Sequence, residues 1–119
     1  MKWSAAGAFL LALAVMLGAF GAHALRTRLD AYSMGIWERA VFYHFIHALG
    51  LLVVPLFART AARAWVCWLL LAGVVLFCGS LYALALTGVR MLGAITPFGG
   101  VSFIAAWIAL GVSLLRGAR

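Results

Sequence analysis

Eight side chains in this sequence have types and spacings suited to chemistry: His23, Tyr43, His44, His47, Ser80, Tyr82, Thr96 and Ser102. His44 and His47 stand at i and i+3 and share a helix face, and Tyr43 lies four residues before His47 on the adjoining stripe. Imidazoles from two helices that meet in this way suit a transition metal, a proton relay or a pair of axial haem ligands. His23, His44 and His47 are therefore the candidate ligands, although no cofactor is firmly implied. A zinc-protease pattern such as H-E-x-x-H is absent, and no carboxylate lies deep enough in an apolar run to complete a metal site. The competing reading makes the same histidines structural, each hydrogen-bonded to a neighbouring helix. For Ser80, Tyr82 and Ser102 the structural expectation is a bond to a helix carbonyl or to an adjacent helix. Glu38 and Arg39, at the mouth of the second apolar run, are expected either to pair with Arg26, Arg28 or Asp30 or to remain solvated.

Missing constellations remove several functions. Drug and proton exchange by a small multidrug transporter needs a membrane-embedded carboxylate, and the apolar runs contain none. Quinone-linked disulfide oxidation needs paired reactive cysteines, usually C-x-x-C. Here the two cysteines, Cys67 and Cys78, lie about 16 Å apart along one helix, too far to bridge, and are expected to fill space. Fluoride channels of similar length rely on pore asparagines, and this chain has neither Asn nor Gln. Hydrolysis through His47 and Ser80 lacks an orienting acid. The expectation is a protein that is not an enzyme.

The elements that must position these residues are written in the charge pattern. Among 119 residues, nine Lys/Arg and two Asp/Glu leave 3–25, 40–58, 64–89 and 91–115 free of any acid or base other than histidine. At about 1.5 Å per helical residue each stretch is long enough for a hydrocarbon core about 30 Å thick. Hydrophobic residues make up 68% of the chain, charged residues 9%, and the mean hydropathy is +1.18, which leaves a soluble domain of this size without a polar surface. The fold class is an all-α membrane protein, a four-transmembrane-helix antiparallel bundle forming one domain over 1–119, with helices at about 4–25, 37–57, 64–86 and 96–115. Lys2, the first apolar run and Ala22-His23-Ala24 imitate a secretion signal, but the run exceeds the usual length of about 7–15 residues and is expected to be a retained span.

Local signals refine the spans. Ala14, Gly18 and Ala22 form a small-residue ridge for close helix approach, and Gly21 lies beside it. Leu29, Tyr32, Ile36 and Trp37 are expected to lay the first connection along the interface, and Trp65 and Trp68 to join an aromatic belt. Thr96-Pro97 reads as a capping side chain followed by a helix-starting proline. Gly99-Gly100 then permits close packing of the fourth helix.

The net charge of +7 does not indicate nucleic acid, because the bases cap the apolar runs instead of gathering on one soluble face. Both termini fall on one side of the membrane, with Lys2, Arg59, Arg63, Arg116 and Arg119, against Arg26, Arg28, Arg39 and Arg90 on the other. The positive-inside rule thus favours cytoplasmic termini by a single base. Antiparallel order places His23, Tyr43, His44, His47, Ser80, Tyr82, Thr96 and Ser102 in the half-membrane bordered by the first and third connections. The opposite half offers Ser4, Cys67 and Ser113.

Four ordered segments carry a resemblance: Gly18-Ala19-Phe20-Gly21-Ala22-His23, Tyr43-His44-Phe45-Ile46-His47-Ala48-Leu49, Gly79-Ser80-Leu81-Tyr82-Ala83-Leu84, and Thr96-Pro97-Phe98-Gly99-Gly100-Val101-Ser102-Phe103. With them the chain resembles, over essentially its whole length, the small YgdD/YwdK-like inner-membrane proteins of unknown function, which include a eukaryotic transmembrane relative. The resemblance implies a four-span protein of the bacterial inner membrane without a cleaved leader. It marks His23, His47, Gly79, Ser80, Tyr82, Thr96, Pro97, Gly99 and Gly100 as family positions and supplies no activity. Two expectations of different class follow. One is a structural or accessory interaction module that self-associates or joins a larger membrane complex. The other is a small transport or ligand-binding module for a proton, metal or small molecule, with the His/Tyr/Ser cluster lining its cavity.

Overall fold

The computed structural model describes residues 1–58 and 60–117. Arg59 and Arg119, two of the bases expected on the terminal side, lie outside the described residues. Every regular element among the described residues is helical. Four stretches, Lys2–Leu25, Ala31–Phe57, Ala61–Thr87 and Arg90–Gly117, are long and apolar enough to cross a membrane. The first span is α1 (Lys2–Phe20) continued by a π turn at Gly21–Leu25, and the second is α2 (Ala31–Phe57). The third joins α3 (Thr60–Gly73), a π turn at Val74–Cys78 and α4 (Gly79–Thr87). A 3-10 turn at Arg90–Ala94 leads into α5 (Thr96–Gly117), which completes the fourth.

Residues 31–36, expected to lie along the interface, instead extend α2. The reason is a cap: the Asp30 carboxylate accepts a 2.7 Å bond from the Ser33 amide, one of the donors a helix start leaves without an intrahelical partner. This bond holds the Asp30 carboxyl below the ordinary carboxylate range. Asp30 is thus committed to the helix start and not to an ion pair with Arg39. At the other end of α2, Arg63 Nη2 donates to the Ala58 carbonyl at 3.1 Å across the tight turn. The third span closes at Gly88, whose left-handed φ of 73° lets its amide reach the Leu84 carbonyl at 2.8 Å.

Two hairpins build the bundle. In the first, α1 packs chiefly against α2, and in the second, α3 packs chiefly against α5, with α2 bridging to α3 and α4. The first hairpin closes tightly because Gly7 has no side chain: a Cβ there would stand 2.5 Å from the Leu52 nitrogen and 2.9 Å from the Ala48 carbonyl oxygen. Ser4 Oγ donates to the Leu52 carbonyl at 2.8 Å beside that contact. In the second hairpin, a Cβ on Gly99 would collide with the Phe77 backbone, inside the second π turn.

Apolar packing divides into two clusters. One, on the side of the termini, contains Leu51, Val54, Val66, Leu70, Phe103 and Leu110 with both free cysteines, Cys67 and Cys78. The other gathers Leu25, Ile36, Trp37, Ala40, Leu81 and Ala85 near the first and third connections. Along α2 the residues between the two clusters include His44 and His47. The fold therefore seats His44 and His47 at a seam between the two apolar clusters.

Candidate functional site

His44 and His47 project from the middle of the 27-residue α2 and are 1% and 5% exposed. The sequence reading placed them in the half-membrane nearer the first connection. Extension of α2 back to Ala31 puts them, with Tyr43, at the middle of that helix, but Glu38 and Arg39 occupy its first third, and the Tyr82 hydroxyl, toward the third connection, reaches His44 at 2.8 Å. Ser80, Tyr82, Thr96 and His23 lie toward the ends of their spans that border the first and third connections.

Each buried imidazole has a defined partner. His44 Nδ1 lies 2.8 Å from the Tyr82 hydroxyl on α4. Its Nε2 is buried without a hydrogen-bond partner. Either the Tyr82 hydroxyl or His44 Nδ1 can donate in that pair, according to the tautomer. His47 Nδ1 is 2.8 Å from the Tyr43 carbonyl one helical turn earlier, and because a carbonyl oxygen can only accept, Nδ1 is the donor. The neutral His47 ring then bears its lone pair on Nε2.

Aromatic rings wall in His47. Its ring stacks on Phe103 with centroids 3.5 Å apart and planes 14° apart, with Tyr43 parallel at 5.9 Å and Trp107 tilted at 5.6 Å. Tyr43 also packs on Phe77 at 4.5 Å. These contacts tie α2 to both members of the second hairpin. The hydroxyls serve the same end. Ser80 Oγ and Thr96 Oγ1 lie 2.6 Å apart and join α4 to α5, while Ser80 also donates to the Phe77 carbonyl at 3.0 Å. The Thr96 hydroxyl, expected to cap the fourth span, is directed instead to Ser80; Pro97 does stand in the first turn of α5. Ser102 Oγ donates to the Leu69 carbonyl on α3 at 2.6 Å.

His23 does not join the other two histidines. It is exposed on the first π turn. Among the described residues no group of three or more His, Cys, Asp or Glu side chains is placed to hold a metal ion. The expected glycine contacts also divide. Gly21 packs on the Trp37 indole and Gly99 on the Phe77 backbone, whereas a Cβ added at Gly18 or Gly100 would make ordinary contacts at 3.5 and 3.8 Å, and one added at Gly79 would meet nothing within 4 Å. Of the small-residue ridge, Ala14 is buried in the first hairpin while Ala22 is exposed.

Sequence reasoning missed Trp37 as a core residue. It is 2% exposed, its indole Nε1 donates to the Leu17 carbonyl at 3.0 Å, and its ring lies 4.7 Å from Tyr82. Its place seven residues before His44, two turns along the same face, was the available signal. Phe103 and Trp107, at i and i+4, were legible in the same way. Hollows are found elsewhere. One of about 140 Å³ is lined by residues including Gly18, Gly21, Trp37 and Glu38, and another, of about 460 Å³, lies between α3 and α5. Neither is lined by His44 or His47.

A family model described as "Protein of unknown function (DUF423)" matches residues 17–100. The chain is 51% identical over 112 residues to a UPF0382 membrane protein of Staphylococcus epidermidis, covering 92% of each chain. It is 46% identical over 114 residues to the UPF0382 membrane protein YwdK of Bacillus subtilis, covering 92% of this chain and 93% of that one. No solved structure matches.

Proposed function

We propose that this chain, which belongs to the DUF423 family of proteins of unknown function, is a structural or accessory interaction module that self-associates or joins a larger complex in the bacterial cytoplasmic membrane. In this reading it catalyses no reaction, its termini face the cytoplasm, and its polar seam holds four helices in one register. The observation that carries the reading is how the seam's hydrogen bonds are used. His44 bonds Tyr82, Ser80 bonds Thr96 and Ser102 bonds the Leu69 carbonyl, each linking two helices, while His47 bonds its own helix and stacks on Phe103. Polar groups committed to one another inside hydrocarbon fix a packing arrangement, since breaking them leaves unsatisfied groups.

A second reading, a proton or small-ligand module, is favoured by one atom. His44 Nε2 is buried and lacks a hydrogen bond of ordinary geometry. An intramembrane ionisable group in that state is a candidate for transport.

Three alanine variants separate the readings. His44→Ala and His47→Ala are expected to lower bundle stability and assembly, and His23→Ala to leave both unchanged because that ring is exposed. Proton or metal uptake by wild-type proteoliposomes that is abolished by His44→Ala or His47→Ala with stability and assembly intact would overturn the interaction reading in favour of the second.

A further inference from the structure

We propose that the hollow between the start of α3 and the end of α5 is a binding site for an anionic diacyl phospholipid. It is an open hollow of about 460 Å³ lined by Ala61, Ala62, Ala109, Val112, Ser113 and Arg116. Arg116 stands in the last turn of α5, which ends at Gly117. Ala109 lies two turns deeper, about 10 Å along the helix axis. Along α5 the wall thus changes from a guanidinium, through a hydroxyl, to apolar side chains over the depth at which a phospholipid changes from phosphate to ester to acyl chain. A phosphate fits Arg116, level with Ala61 and Ala62 at the start of α3, the glycerol esters fall level with Ser113, and an acyl chain lies against Val112 and Ala109.

Charge decides which phospholipid this is. Helix order brings Lys2, Arg63 and Arg116, among the described residues, to this end of the bundle with no acid, and puts both acids, Asp30 and Glu38, among the bases of the other. A rim with these three bases and no acid attracts anionic lipids, and basic hollows between spanning helices hold their headgroups. The start of α3 adds the positive end of its helix dipole from the same side. A hollow at the opposite end, lined by Tyr32, Leu84, Arg90 and Gly93, also has one arginine, but that end carries both acids. Charge therefore selects the α3–α5 hollow. The inference stands independently of whether the chain is an interaction module.

Native mass spectrometry of the full chain, equilibrated with equal amounts of phosphatidylglycerol and phosphatidylcholine of identical acyl chains, tests it. The expected result is retention of phosphatidylglycerol over phosphatidylcholine. Arg116→Gln should weaken that retention about fivefold, the effect of one base near a membrane surface, and Lys2→Gln should weaken it less. Ala109→Phe keeps every charge but fills the apolar end, and should also reduce retention; Val112→Phe, at a more exposed position, replaces it if the first variant does not fold. Equal retention of the two lipids would overturn the proposal. So would equal effects of Arg116→Gln and Lys2→Gln, which indicate diffuse attraction to the rim. A change in chains per particle with phosphatidylglycerol retention intact, under Ala109→Phe, would assign the hollow to a second copy instead.

Discussion

The pair His44–Tyr82 offers the sharpest test of how the seam stabilises the bundle. Tyr82→Phe removes one hydroxyl and leaves the ring, so packing against Trp37 at 4.7 Å is retained. His44 is 1% exposed, and its Nδ1 loses the partner that stood 2.8 Å away. A buried ring nitrogen stranded in this way costs about 1–3 kcal/mol. Interhelical bonds measured in membranes average about 0.6 kcal/mol and reach about 1.7, because the unfolded chain in lipid or micelle also finds partners. The expected loss for Tyr82→Phe is therefore about 1–2 kcal/mol. His44→Leu removes the other partner and substitutes an apolar side chain, and the double variant restores consistency by leaving neither polar atom behind. A double-mutant cycle should give a coupling of about 1 kcal/mol, seen as a double variant more stable than the sum of the singles implies. Reversible unfolding in mixed micelles, followed by tryptophan fluorescence, measures it. Coupling within about 0.3 kcal/mol of zero, the additivity expected of unconnected sites, would refute the reasoning.

Further variants test the geometry elsewhere. Gly7→Ala should destabilise the first hairpin by about 1–3 kcal/mol, because its Cβ meets backbone atoms of α2 that cannot swing aside; Gly79→Ala, with nothing within 4 Å, should be neutral or stabilising by about 0.5–1 kcal/mol in the same unfolding assay. Trp37→Phe removes the donor to the Leu17 carbonyl and should cost about 1 kcal/mol, with amide exchange accelerated at the first π turn. Asp30→Ala should increase exchange at the start of α2 while Asp30→Asn, which also caps, should not. Because the Asp30 carboxyl is held below its ordinary range, its cap is complete above the unfolded carboxylate range and is lost as the pH falls through the lowered value. Exchange at Ser33 measured from neutral to acid should follow that course.

Span number and order were legible because lipid imposes a length and excludes charge, and both constraints are local. The start of α2 was not. Leu29, Tyr32 and Ile36 look equally suited to an interfacial segment and to a helix, and the capping bond from Asp30 to Ser33 decides between them. That local choice put His44 and His47 at the middle of a longer helix. Histidine types and the i, i+3 spacing identified residues of one face, but not what stands opposite. Tyr82 reaches His44, and Phe103 covers His47, only through the relative placement of the hairpins. His23 was grouped with them by depth alone, and its direction around the helix turned it outward. Thr96 followed a sound local rule for a cap, which a tertiary partner, Ser80, overrode.

The central functional claim concerns assembly, and the number of chains in native surroundings tests it most directly. Full-length protein can be excised with its own lipid from the producing membrane by copolymer nanodiscs and weighed intact. The interaction reading predicts particles containing more than one copy of the chain, or one copy in fixed stoichiometry with another membrane protein. Particles containing a single chain and lipid alone would contradict it.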